Sequence, residues 1–397
     1  MNYDYLLYLA LILLCTKLLG MLTRRAHMPQ VVGSLLAGLI LGPAMLNLIH
    51  DTEFLNQVAE IGVIVLMFMA GVETDTKELK RSGKSAFTVA LIGVMVPLLG
   101  GYLVAYFYKV ADSSLSADVF LQNIFIGIIL TATSVSISVE TLKELGKVST
   151  KAGTAILGAA LIDDVLGIIG LTIISSMADS TTKVTVVLLK IVGFFIFAVV
   201  AGLLYSKVLG RWTAAYPKPN RRFVVLAFVF CLIMAFCAEE FFGVADITGA
   251  YVAGLVTSNN RKREAIYQNC DTVSYMLVAP VFFASIGLKV VLDTMTSNLL
   301  IFTIVLLIVA ILTKIVGCAF GAKLCHYTSA ESLQIGVGMV SRGEVALIVV
   351  NKGESLGLIS NNLYAPIVVI VVVTTIITPI LLKFVFKEGK HSQKQLA

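Results

Sequence analysis

The sequence predicts an all-α polytopic membrane protein with about 13 transmembrane helices. Three observations lead there. Of 397 residues, 58% are hydrophobic and only 14% charged, with a mean hydropathy of +0.94. A soluble globular domain averages about 45–50% apolar and about 25% charged. The apolar residues gather in runs of about 15–28, long enough to cross a hydrocarbon core of about 30 Å. Those runs do not alternate apolar with polar, which excludes a barrel and leaves helices as the spanning elements.

In order, the spans fall near 5–22, 31–49, 58–72, 86–108, 119–141, 152–178, 184–206, 222–241, 244–258, 273–292, 298–322, 331–351 and 362–386. The first lacks the basic segment and small-residue cleavage site of a signal peptide, so it reads as a span. The fifth, "IGIILTATSVSISVETL", crowds Thr131, Thr133, Ser134, Ser136 and Ser138 into its middle. Hydroxyls at that density can partner the backbone of an unwound helix. The sixth carries the adjacent pair Asp163 and Asp164 in "LIDDVLG". The ninth is short and reads as a partial span. The eleventh carries Lys314 in "AILTKIVGC". The twelfth, "IGVGMVSRGEVALIV", is weakened by Gly336, Gly338 and Gly343 and carries Arg342 and Glu344. Interrupted helices in matching positions of two halves point to a midplane transport site. Here the fifth and sixth spans match the twelfth and thirteenth across an inverted repeat.

Loop charge orients the chain. With the N-terminus outside, about 22 Lys and Arg fall in inside loops and the tail against about 5 outside, a strong positive-inside bias. The inside set includes Arg24, Arg25, Lys77, Lys80, Arg81, Lys84, Lys143, Lys147, Lys151 and the tail from Lys383. The net charge of +6 is therefore a topology signal. It does not form a nucleic-acid patch, because the cations are spread over separate segments. The six cysteines form no CxxC pair or metal cluster and read as packing residues. His27, His50, His326 and His391 lie in loops, at span ends or in the tail, so midplane proton handling falls to carboxylates or lysine. "GVGMVS" at 336–341 lies in an apolar span rather than a βαβ unit and is no dinucleotide fingerprint. The tail after the last span is about ten residues, so no soluble regulatory domain is expected. No enzymatic activity and no resident cofactor are expected either.

At 1.5 Å of rise per residue, Asp163 and Asp164 lie roughly 18 Å into the sixth span. Lys314 enters from the other side to a similar level, and Arg342 in the twelfth span lies at a similar depth. Each charge costs about 2.5–3.5 kcal/mol at the centre of an isolated helix, so the group must pair or line a water-filled cavity. A packing network is one reading, most directly for Arg342 with Glu344. The acids carry a further argument, because two carboxylates against one lysine leave a negative charge over. That charge must take a proton or hold a cation. A site that does either, one at a time, is an exchange mechanism. Adjacent residues on a helix point about 100° apart, so one aspartate can meet Lys314 while the other faces a cavity.

These residues resemble the cation:proton antiporter superfamily, in its NapA/Kef-like branch, over essentially the whole chain. The likeness is carried by "LAGLILGP" at 36–43, "LMFMAGVETD" at 66–75, "TATSVS" at 131–136 and "LIDDVLG" at 161–167. "ITGAYVAGLV" at 247–256, "PVFFASIGLKV" at 280–290 and "VGMVSRGEVALI" at 337–348 complete the ordered set. The resemblance implies an inverted-repeat antiporter fold with two broken crossing helices, and a homodimer in a bacterial cell membrane, N-terminus outside and C-terminus cytoplasmic. It implies a scaffold or dimerisation domain (1–85 and 216–297), a core domain (86–183 and 298–397) and a linker helix (184–215), the core moving elevator-like. It implies that Asp164 is the main cation and proton ligand and that Asp163 pairs with Lys314 until the cation binds. Thr131, Thr133 and Ser134 would be further ligands to a monovalent cation, Na⁺ or Li⁺, with K⁺ as the alternative. The Asp-Asp form resembles the electrogenic type. A site of adjacent acids is a poor match for an organic-anion symporter sharing the architecture, and no filter loop of a channel is visible. The hydroxyl-rich break lacks a midplane carboxylate, so its helix ends must be compensated in another way.

Overall fold

Long apolar runs fold as helices because a helix satisfies every backbone group within its own segment. The computed structural model describes residues 3–25, 28–50, 52–74, 76–112, 115, 117–178, 184–215, 221–260, 262–290 and 297–386. Helices α1 (Asp4–Arg25), α2 (Gln30–Leu41), α3 (Glu53–Glu73) and α4 (Thr76–Tyr108) lead to a first broken pair, α5 (Val119–Thr131) and α6 (Val135–Glu144). Then come α7 (Lys151–Ala178), α8 (Val184–Ala215), α9 (Arg221–Phe242) and α10 (Asp246–Ser258). Helix α11 (Arg263–Val273) passes through a π turn, Ser274–Val278, into α12 (Ala279–Leu288). Helix α13 (Ser297–Leu324) precedes the second broken pair, α14 (Ser329–Gly338) and α15 (Glu344–Ser355), and α16 (Tyr364–Val385) follows.

Among the described residues, ten helices are long and apolar enough to cross a membrane. The fifth and twelfth spans are divided and the ninth is short, as the sequence predicts, while the second is shorter than expected. The second stops at Leu41 rather than running to 49, because Pro43 has no N–H to continue the ladder and disfavours helix at the residue before it. The ninth is the 13-residue α10, and the twelfth is split into α14 and α15. The tenth begins at Arg263 instead of 273, since the polar stretch before the apolar run is helical too. Its π turn lies just before Pro280, where a missing N–H interrupts the α pattern. Local signals set other ends. The Thr52 hydroxyl accepts the Leu55 N–H at the start of α3, and Thr328 with Glu331 forms a capping box on α14.

Helix α4 packs on α13, α5 and α7, which brings the aspartate helix, the lysine helix and the first break together. Helix α3 packs on α10 and α2 on α12. Small residues allow these last two crossings. A Cβ on Gly38 would stand 1.9 Å from the Ala284 carbonyl oxygen, and one on Gly71 would stand 2.2 Å from that of Tyr251. The glycine-bearing motifs at 36–43, 66–75, 247–256 and 280–290 are thus contact faces between helices.

Two cavities enter the bundle from opposite ends. One, of about 790 Å³, opens where α2 ends and α3 begins; Glu60, Glu239, Asp246 and Tyr364 line it, and it reaches Val345 and Leu347 of α15. The other, of about 200 Å³, lies at the Arg25 end of α1 and is lined by Ser34, Glu140, Lys143 and Asp271 among others.

Candidate functional site

The two broken helices meet at their breaks. Helix α5 stops at Thr131, and α6 resumes at Val135. Helix α14 stops at Gly338, and α15 resumes at Glu344. Across the crossing, the Ser134 N–H donates to the Ser341 carbonyl at 2.7 Å, and the Ser341 hydroxyl donates to the Ser134 carbonyl at 2.9 Å. The Ser138 hydroxyl donates to the Gly338 carbonyl at 2.6 Å and lies 2.9 Å from the Ser341 hydroxyl. Gly343 permits this approach: a Cβ there would stand 2.6 Å from Ser134 Oγ and 2.8 Å from Ser134 Cβ. Backbone groups that a break releases are therefore satisfied by the other break.

The C-terminal end of α5 is compensated by cations. A helix C-terminus carries roughly half a negative charge on its unsatisfied carbonyls. Arg342, 1% exposed, donates to the Leu130 carbonyl of α5 at 2.7 Å, to Ala310 of α13 at 3.1 Å and to Val340 at 3.0 Å. Thr375 of α16 holds the Arg342 carbonyl at 2.5 Å. Lys314, 0% exposed, donates to the Thr131 carbonyl at 2.8 Å, the Gly93 carbonyl at 3.0 Å and Asp163 Oδ1 at 2.9 Å. One ammonium therefore joins the carboxylate of α7 to the end of α5.

Asp163 is 2% exposed and Asp164 4%. The residues selected from sequence divide by what they touch. Asp163, Lys314 and the Thr131 carbonyl form one cluster, while the Thr131 hydroxyl turns back to Ile128 at 2.7 Å. The Thr133 hydroxyl is buried beside Asp163 and closes no full hydrogen bond to a protein group. Ser134 is bonded into the crossing, its hydroxyl 3.1 Å from that of Ser136. Arg342 binds three carbonyls, so the described part of the network is of a cation with backbone oxygens. Glu344 opens α15, and its side chain lies outside the described part of the structure. Sequence reasoning missed Ser341, Thr375 and the Gly93 carbonyl. Ser341 had a signal, its place next to Arg342 in "VSRGE"; Gly93 had none, since any residue offers a carbonyl.

Comparison with known proteins finds relatives along nearly the whole chain. Residues 10–388 match the family model described as sodium/hydrogen exchanger, transmembrane. The chain is 38% identical over 395 residues to the Na⁺/H⁺-K⁺ antiporter GerN of Bacillus cereus, covering 99% of each chain. It is 37% identical over 394 residues to a Na⁺/H⁺ antiporter of Enterococcus hirae, covering 97% of this chain and 99% of that one. The structure of the sodium proton antiporter MjNhaP1 from Methanocaldococcus jannaschii at pH 8 superposes with a TM-score of 0.68 over 96% of this chain and 97% of that one, at 20% identity, a likeness of fold. A full-length family match, relatives at this identity and two stitched helix breaks around a buried acid–lysine pair lead to one assignment: the chain is a multi-pass membrane protein of the sodium/hydrogen exchanger family.

Proposed function

We propose that the protein exchanges a small monovalent cation, Na⁺ or Li⁺, for protons across the membrane, the two competing for Asp163 and Asp164. The observation that carries this reading is Lys314 held between the Asp163 carboxylate and the Thr131 carbonyl of the broken helix. Charge on the acids and conformation at the break are thereby coupled. A cation that draws Asp163 away loosens Lys314, and with it the end of α5. Asp164 serves as the main ligand, with the Thr133 hydroxyl and backbone carbonyls of the break as neutral oxygen donors. Hard cations take such oxygens, by extension from the divalent ions. Exchange follows because the loaded or protonated site crosses and the empty charged site does not. Two acids sharing one lysine favour an electrogenic cycle.

The core, 86–183 with 298–397, moves against a scaffold of 1–85 with 216–297, with 184–215 as the linker, in a homodimer. The N-terminus lies outside and the C-terminus in the cytoplasm of a bacterial cell. The Bacillus cereus relative is named a Na⁺/H⁺-K⁺ antiporter, which supports K⁺ as a second transported ion.

Purified protein on a supported membrane, given Na⁺, Li⁺ and K⁺ concentration jumps across a pH series, tests this. The expected result is a transient current with Na⁺ and Li⁺ whose apparent affinity weakens about tenfold per unit of falling pH for one competing proton, and more steeply where both acids are protonated. Currents independent of pH, or none with any of the three ions, would refute the proposal.

A further inference from the structure

We propose that Ser341, supported by Ser138, determines the cation selectivity of this site by fixing where Thr133 stands; the inference rests on the exchange reading above. Thr133 is the middle of a short non-helical stretch that is clamped at both ends. Ahead of it, the Thr131 carbonyl is held by Lys314 at 2.8 Å. Behind it, both backbone polar groups of Ser134 are taken by Ser341, its carbonyl accepting at 2.7 Å and its hydroxyl donating at 2.9 Å. Between the clamps, Thr133 is 1% exposed, with its hydroxyl beside Asp163 and in no full hydrogen bond to the protein. A buried hydroxyl beside that carboxylate can serve as a neutral oxygen ligand to a cation that the carboxylate holds.

Selectivity among monovalent cations depends on how firmly such oxygens are held, and on their number and field. A cage held within about 0.5 Å by its supporting shell discriminates by size; a loose one follows the ion. The holding group here is on the other broken helix. Ser341 and Ser138 are fully buried, and their two hydroxyl protons serve three short contacts: Ser341 to the Ser134 carbonyl, Ser138 to the Gly338 carbonyl, and the 2.9 Å contact between the hydroxyls. Each hydroxyl has a single proton, so removing either forces the other to rearrange. Neither serine need touch the cation. Both act through Thr133, as positioning residues.

The test uses the full chain in proteoliposomes and reads cation-driven proton movement. The quantity compared is kcat/KM for K⁺ relative to Na⁺ in the wild type and in Ser341→Ala, Ser341→Cys and Ser138→Ala. In Ser341→Ala the ratio is expected to rise about fivefold, the effect of losing one buried hydrogen bond. Ser341→Cys, a weak donor of similar shape, and Ser138→Ala move in the same direction by less, and they decide the matter if Ser341→Ala does not fold. A merely structural role would lower the rates for Li⁺, Na⁺ and K⁺ together and leave the ratio where it was; that result overturns the inference while the exchange reading stands. A wild type that moves no protons with any of the three cations overturns the exchange reading and this inference with it.

Discussion

Lys314 has three protons, and three oxygens take them: Asp163 Oδ1, the Thr131 carbonyl and the Gly93 carbonyl. No amide or neutral side chain can reproduce this. Removing one partner of a buried ion pair costs about 3–5 kcal/mol, because the other charge stays buried without it. Lys314→Gln should therefore lower thermal stability in detergent and, more tellingly, alter the charge moved per Na⁺. Measured by ion flux against current, an unchanged charge stoichiometry would remove Lys314 from the proton-carrying part of the cycle. Arg342 is used differently. It holds carbonyls of α5, α13 and its own loop, which compensates the C-terminal end of α5 at the break.

At the scale of elements, the crossing is a joint that neither broken helix could make alone. Its tightest point is Gly343 against Ser134. An added methyl there has rigid, buried neighbours, and overpacking of this kind costs about 1–3 kcal/mol. Gly343→Ala is expected to lower the unfolding temperature and cut the exchange rate at least tenfold, as separated breaks lose the geometry between them. Near wild-type transport by this variant would show that the close approach is dispensable. Much of this joint was legible in the sequence. Hydroxyls at 131–138 and glycines at 336–343 marked both interruptions, and the intramembrane charges marked the depth. The pairing of Ser341 with Ser134 was not legible, because a serine shows its capacity to bond and not its partner some two hundred residues away. The early end of the second span was missed for a related reason: an average over a window absorbs a single Pro43, while the backbone does not.

For the molecule as a whole, the two ends of the bundle differ. A cavity of about 790 Å³ enters from the Tyr364 end, while the Arg25 end has one of about 200 Å³. That narrower end is tied by charged contacts of α6 with other helices. Glu144 accepts the Gln30 N–H at 2.7 Å and the Val31 N–H at 3.1 Å, acting as the cap that α2 lacks in its own sequence. Lys143 meets Asp271 of α11 at 2.5 Å. An anion at a helix N-terminus with charge-assisted bonds is among the stronger surface contacts. Under the proposed alternating access these contacts break as the Arg25 end opens. Glu144→Ala should favour that opening. With the six native cysteines removed, a cysteine placed at Ser34, which lines the small cavity, should react faster with a water-soluble thiol reagent in the Glu144→Ala background. Equal rates would mean that Glu144 caps α2 without influencing access.

All of these scales depend on one assignment, that Asp164 carries the cation and the proton in turn. Its direct test is Na⁺-driven proton movement in proteoliposomes holding Asp164→Asn beside the wild type. The account predicts exchange in the wild type and none in a variant that reaches the membrane folded. Robust Na⁺/H⁺ exchange by Asp164→Asn would contradict it.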